Sequence, residues 1–209
     1  AWEEHGFDSE DFIQLQKIRA ELQGWKYKHS KQKDWTDWAE ASLLSLPDFL
    51  DETFPDWEFV SAEADLYENI PGLTTKFKGF IDCIIKVPHK NDYKYWVIDW
   101  KTSSGRGWSL DKQRDFLTHA QVVLYKHFWG TKNQIDMKKI QCGFVLLKKV
   151  KKVGKSCQLV KVSSGPKTLD KSNKLVRSMI KTVEKGMHLK NKNSCMFCEF
   201  NNPDTDHCT

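Results

Sequence analysis

The stretch Val97-Ile98-Asp99-Trp100-Lys101-Thr102 constrains the fold more than any other part of the chain. Tyr95, Trp96, Val97 and Ile98 favour a strand, and they run straight into an Asp and a Lys two places apart. Side chains alternate faces along a strand, so Asp99 and Lys101 point the same way. Taken alone, the two make a surface ion pair. A second strand-like run, Phe77 to Val87, carries Asp82 within Gly79-Phe80-Ile81-Asp82. Two apolar strands that each present an Asp are the framework of a divalent-metal site.

The rest of the chain supplies elements around these strands. Asp8 or Ser9 can cap a helix whose Phe12, Leu15, Ile18 and Leu22 recur at helical spacing. Residues 26–34 form a polar, lysine-rich connector. A second helix is expected from Trp35 to Leu46, stopped by Pro47, with an acidic segment from Asp48 to Asp56 behind it. From Trp57 the period changes to two. Strands are expected from there, from Thr74 to Val87 and from Tyr93 to Lys101, joined by turns at 68–72 and 89–92, as an antiparallel meander. Phe80, Asp82 and Ile84 are expected to share a face.

After a Ser/Gly-rich loop from Thr102 to Trp108, a helix from Asp111 or Arg114 to Trp129 is closed by Gly130. It carries Gln121 and Tyr125 four residues apart on one face. Ile140 to Lys148 follows as a strand, which the crossover lays parallel to the Asp99 strand. A turn around Gly154 leads to a strand from Cys157 to Val162. The final helix, from Leu169 to His188, turns Leu175, Met179, Ile180 and Val183 inward. The fold class is therefore α/β: a mixed central sheet, antiparallel meander plus parallel strand, flanked by helices. Residues 1–56 form an N-terminal helical segment, 57–190 the core and 191–209 a cysteine-containing tail.

At 209 residues and 39% hydrophobic the chain can bury one real core. The net charge of +5 permits a nucleic-acid partner without demanding one. No run is long and apolar enough to span a membrane, and no signal-peptide pattern is present. Cys83, Cys142 and Cys157 sit in apolar, strand-like context and read as small buried residues. No secreted disulfide framework is visible, so a reducing, cytoplasmic location is expected. The first residue is Ala1 rather than Met, which leaves open whether a segment precedes it.

Two carboxylates and a lysine suit metal-assisted hydrolysis of a phosphodiester. Mg²⁺ or Mn²⁺ takes hard oxygen ligands from one or two carboxylates and leaves room for phosphate and water. Asp82 and Asp99 are the expected ligands, with the backbone carbonyl of Trp100 at the same strand end. Lys101 would orient the attacking water or offset charge on the phosphate. Glu63, on the first strand, either completes the acidic cluster or is a solvated strand carboxylate.

These residues carry a resemblance. Gly79-Phe80-Ile81-Asp82, then Val97-Ile98-Asp99-Trp100-Lys101-Thr102, then Gln121-x-x-x-Tyr125, in that order, is similar to the RecB-like branch of the PD-(D/E)XK nuclease superfamily. The likeness covers residues 57–150 and implies a restriction-endonuclease-like core. It also implies a Mg²⁺- or Mn²⁺-dependent deoxyribonuclease, often an exonuclease, acting on DNA in recombination, repair or phage replication beside other proteins of those processes. Gln121 and Tyr125 would flank the site, touching its water or the DNA backbone. Many members carry a ligand His on a helix before the meander; the Trp35–Leu46 helix has none.

The tail Cys195-x-x-Cys198 with Cys208 resembles the C-terminal cysteine cluster of RecB-related nucleases, which implies a 4Fe–4S cluster. Its fourth cysteine is missing here. His207 offers a zinc site instead, and free thiols are the third alternative. Lys148, Lys149, Lys151 and Lys152 form either a solvated turn or a basic patch for DNA. Trp108, in the Gly-rich loop, is the candidate for stacking on a base. A non-catalytic DNA-binding or scaffolding subunit is the alternative function.

Overall fold

A computed structural model describes residues 32–187. The expected first helix and the tail, with Cys195, Cys198, His207 and Cys208, lie outside the described residues. The chain divides into two units between Leu169 and Asp170.

In the first unit, α1 (Gln32–Thr53) precedes β1 (Glu58–Asn69), β2 (Lys76–His89) and β3 (Asp92–Ser103). Next come a short α2 (Leu110–Arg114), α3 (Phe116–Lys132) and a 3₁₀ turn (Met137–Lys139), followed by β4 (Ile140–Lys148) and β5 (Cys157–Val162). The strands form one sheet in the order β1-β2-β3-β4-β5. Among the described strands only the β3–β4 pair is parallel. This is the mixed α/β sheet expected from the sequence: short turns join the antiparallel pairs, and the α3 crossover makes the parallel one. No helix among the described residues is long and apolar enough to cross a membrane.

The first helix corrects the sequence reading. It does not stop at Pro47 but runs through it to Thr53. Pro47 removes one helical donor, at about 3 kcal/mol. Leu43, whose carbonyl loses that donor, is 54% exposed, so water can reach it. Beyond the proline, Leu50 and Phe54 are buried with Cys83, Ile85, Ile98 and Val145. Each such side chain contributes about 1.5–3 kcal/mol, so continuing the helix is favoured. Side-chain bonds also fasten α1 to the β4–β5 hairpin. Ser156 Oγ donates to the Ala41 carbonyl at 2.9 Å and lies 2.7 Å from Ser45 Oγ. The Gly154 N–H donates to Ser45 Oγ at 2.7 Å.

On the other face of the sheet α3 packs through Trp129 on Tyr95 and Phe128 on Phe77. The expected single helix from 111 to 129 is two. Asp115 ends α2 and caps α3, its carboxylate accepting from Leu117 N and Thr118 N. Gly130 is not a cap but lies within α3, where a Cβ would come 2.6 Å from Ile140 Cδ1 and 2.7 Å from Met137 Cε. Close packing, not a turn, requires the glycine there; Asn133 is the C-cap.

The helix α4 (Pro166–Glu184) begins in the first unit and continues in the second. Leu175 and Ile180 are half-buried, but Met179 and Val183, expected inward, are exposed. No second helix or strand accompanies α4 among the described residues of that unit to cover them.

Candidate active site

The site begins where β2 and β3 part. Their ladder runs from His89↔Asp92 to Cys83↔Ile98 and ends there. Continued by one step it would pair Asp82 with Asp99. Instead the Trp100 N–H donates to Asp82 Oδ2 at 2.7 Å. A backbone N–H at the end of a ladder needs an acceptor, and the Asp82 carboxylate takes the place of the missing strand. That bond holds Asp82 beside the Asp99 strand end. The N–H and C=O of one strand residue point to the same neighbour, so the Trp100 carbonyl faces the same opening.

A change of face along β2 accompanies the parting. Cys83 and Ile85 pack with Leu50 and Phe54 of α1. Phe77 stacks on Phe128 of α3 and Gly79 lies against Tyr125. All four positions are odd, so strict alternation would put them on one face; the strand switches between Gly79 and Cys83. Across from this point Glu63 has φ of 48°, in the left-handed region that a non-glycine residue rarely adopts. The expectation that Phe80, Asp82 and Ile84 share a face fails for this reason, and Phe80 is exposed.

Asp99 shares the α3 face with Tyr95 and is 2% exposed. Lys101 Nζ lies 2.6 Å from Asp99 Oδ2, with 37% of the lysine side chain exposed. Burial pushes the Asp99 carboxyl above the usual carboxylate range; the Lys101 ammonium pulls it back, and the Asp82 carboxylate raises it again. A buried carboxylate held by the Lys101 ammonium, beside a second carboxylate and a backbone carbonyl, is a hard-oxygen set that suits a divalent cation. Asp82 and Asp99 are the residues that would hold it.

Glu63 is exposed and stands opposite Asp82 by the register Ala62↔Cys83 and Ala64↔Ile81. No group of three His, Cys, Asp or Glu side chains among the described residues is close enough to hold one ion. On α3, Gln121 Nε2 donates to Tyr125 Oη at 3.1 Å, and the Tyr125 ring lies against Gly79, three residues before Asp82. The helix face is thereby tied to the Asp82 strand.

Of the expected DNA contacts, Trp108, Lys149 and Lys151 also make contacts within the fold. Trp108 packs on Phe144 with ring centroids 5.0 Å apart, and Lys112 sits over its indole. Lys151 pairs with Asp34 and Asp37 at 2.6 and 3.0 Å. Lys149 lies over the Trp38 ring. Lys148 belongs to the end of β4, and Lys152 is exposed in the turn. Two features were missed from sequence: the Asp115 cap, whose signal is an Asp three residues before Thr118, and the fit of Gly79 under Tyr125.

No curated protein matches the chain at a significant level. The sequence model of one family does, over residues 1–202. That span contains the parted strands, the Asp82–Asp99–Lys101 cluster and the Gln121–Tyr125 helix, and the chain belongs to the PD-(D/E)XK nuclease superfamily.

Proposed function

We propose that the chain is a divalent-metal-dependent deoxyribonuclease of the RecB-like branch, an exonuclease that hydrolyses phosphodiester bonds in DNA recombination, repair or phage replication. The observation that carries this reading is the Trp100 N–H bond to Asp82, which draws the two carboxylates together at one strand end. Nucleases of this superfamily use divalent metals such as Mg²⁺, and Mg²⁺ or Mn²⁺ is the cation proposed here. The bound cation supplies Lewis acidity to the phosphate and acidifies water.

The protein's own groups do the rest. Asp82 and Asp99 hold the cation, with the Trp100 carbonyl as a further oxygen donor, and Glu63 stays outside this set. The Lys101 ammonium, fixed on the face of Asp99, orients the attacking water and offsets charge that develops on the phosphate. Gln121 and Tyr125 act as one hydrogen-bonded pair that positions water or the DNA backbone. Phosphodiester hydrolysis adds water across the P–O bond: water oxygen joins phosphorus, and the leaving sugar oxygen takes the proton.

The test is cleavage of end-labelled single- and double-stranded DNA with Mg²⁺, Mn²⁺ or chelator. Metal-dependent loss of label from the ends is expected. Binding without cleavage under every metal would make the chain a DNA-binding subunit. Iron and zinc analysis of the anaerobically purified chain decides among cluster, zinc site and free thiols for Cys195, Cys198, His207 and Cys208.

A further inference from the structure

One ammonium has no place in the proposed chemistry. Lys126, on α3, is only 7% exposed. Its Nζ donates to the carbonyl and to the Oγ of Ser164, each at 3.1 Å. Both partners are neutral, and an ammonium has three donors. Among the described residues no carboxylate pairs with it. A buried charge without a counter-ion is costly, and burial pushes the Lys126 pKa down, against the opposing pull of Cys142 and Asp136.

Lys126 lines a cleft of about 550 Å³ whose polar side is formed with Lys138, Gln141, Ser163 and Ser164 beside Gly165, the rest of the lining being apolar. Its lining includes no Asp or Glu. The side chains named offer two ammoniums, an amide and the Ser163 hydroxyl as donors, while the Ser164 hydroxyl is already bonded to Cys142. The cleft is open at Gly165, where an added Cβ would meet nothing within 4 Å. Such a site offers an anion what Lys126 lacks: charge opposite to its own, held by charge-assisted hydrogen bonds. We propose that this cleft binds a phosphate group, free or carried by a nucleotide, with Lys126 as its buried cation and Lys138 as an outer one. The proposal does not depend on the nuclease reading: the cleft lies beside the start of β4, whereas Asp99 pairs with Phe144 farther along that strand.

The experiment is calorimetric titration of inorganic phosphate, and separately of a 5′-mononucleotide, into the full chain in metal-free buffer. Without divalent cations the carboxylate pair repels phosphate, so heat reports the cleft. The wild type should bind. Lys126→Met, an apolar chain of similar length, should weaken binding about ten- to a hundredfold, as loss of a hydrogen bond from a charged donor does. Lys138→Ala changes an exposed residue, folds without difficulty, and should weaken binding less. Equal affinity for phosphate and mononucleotide identifies the free anion as ligand; tighter mononucleotide binding identifies a nucleotide. Absence of binding by the wild type, or affinities that neither substitution changes, overturns the proposal.

Discussion

The ring of Tyr125 occupies the space that a β-carbon on Gly79 would need: such an atom would lie 2.5 Å from Cε1 and 3.3 Å from Cζ. The glycine of the Asp82 strand and the tyrosine of the α3 motif are thus two halves of one contact. The strand comes close enough to the helix for Tyr125, bonded to Gln121, to rest directly on its backbone.

Gly79→Ala should therefore overpack this contact. The ring is buried, so the strand or α3 must shift, at about 1–3 kcal/mol. Urea unfolding should show the loss of stability, and cleavage should slow. Adding Tyr125→Leu to Gly79→Ala should recover stability without recovering cleavage. Full stability in Gly79→Ala alone would contradict the close approach.

Asp82 has two duties that substitutions separate. Asp82→Asn keeps an acceptor for the Trp100 N–H but loses a charge. It should fold normally while losing metal affinity and cleavage. Asp82→Ala also leaves that N–H without its acceptor, at about 1–3 kcal/mol. Calorimetry with Mn²⁺ and thermal unfolding of both variants check the distinction; equal stabilities would mean that water replaces the carboxylate.

Lys101→Ala removes a charge that is not a metal ligand. Metal and DNA binding should stay near wild type, while cleavage falls roughly 10²–10³-fold, about 3–4 kcal/mol. Single-turnover cleavage at saturating Mg²⁺ is the measurement. A wild-type rate would reduce Asp99 and Lys101 to an ion pair at the end of a strand.

Acid stability should depend on His127. Its Nδ1 is buried without a partner among the described residues, and burial pushes its pKa below 6.5. The unfolded chain then binds the proton more readily than the folded one. The contribution is complete above 6.5 and is lost as pH falls through the folded value. Asp92 and Asp115, lowered from 3.8, act in a more acidic range. Denaturant midpoints of His127→Leu should fall less steeply than those of wild type between pH 6.5 and the carboxylate range.

Much of this was legible because strands write their period plainly. The bounds of β4 and β5 match the apolar runs Ile140–Lys148 and Cys157–Val162, and the Asp99–Lys101 face follows from alternation alone. What the sequence hid was decided by partners distant in the chain. Pro47 reads as a stop until Leu50 and Phe54 are known to be core. Gly130 reads as a cap until Ile140 and Met137 are seen against it. The switch of face along β2, with the left-handed backbone of Glu63 across from it, is announced by no local pattern. The Lys149 and Lys151 side chains read as a solvated turn or a basic patch, and their contacts with Trp38, Asp34 and Asp37 of α1 were not legible.

The Gly154 N–H bond to Ser45 Oγ reaches beyond the turn that makes it. An amide at the tip of a hairpin ordinarily trades its hydrogen with solvent almost as fast as in a free peptide. Here the acceptor belongs to a helix whose hydroxyl is itself engaged by the buried Ser156. Opening the tip therefore means breaking a three-member relay rooted in the interior. The hairpin is thereby pinned to α1, and the Lys149 and Lys151 side chains are held against that helix.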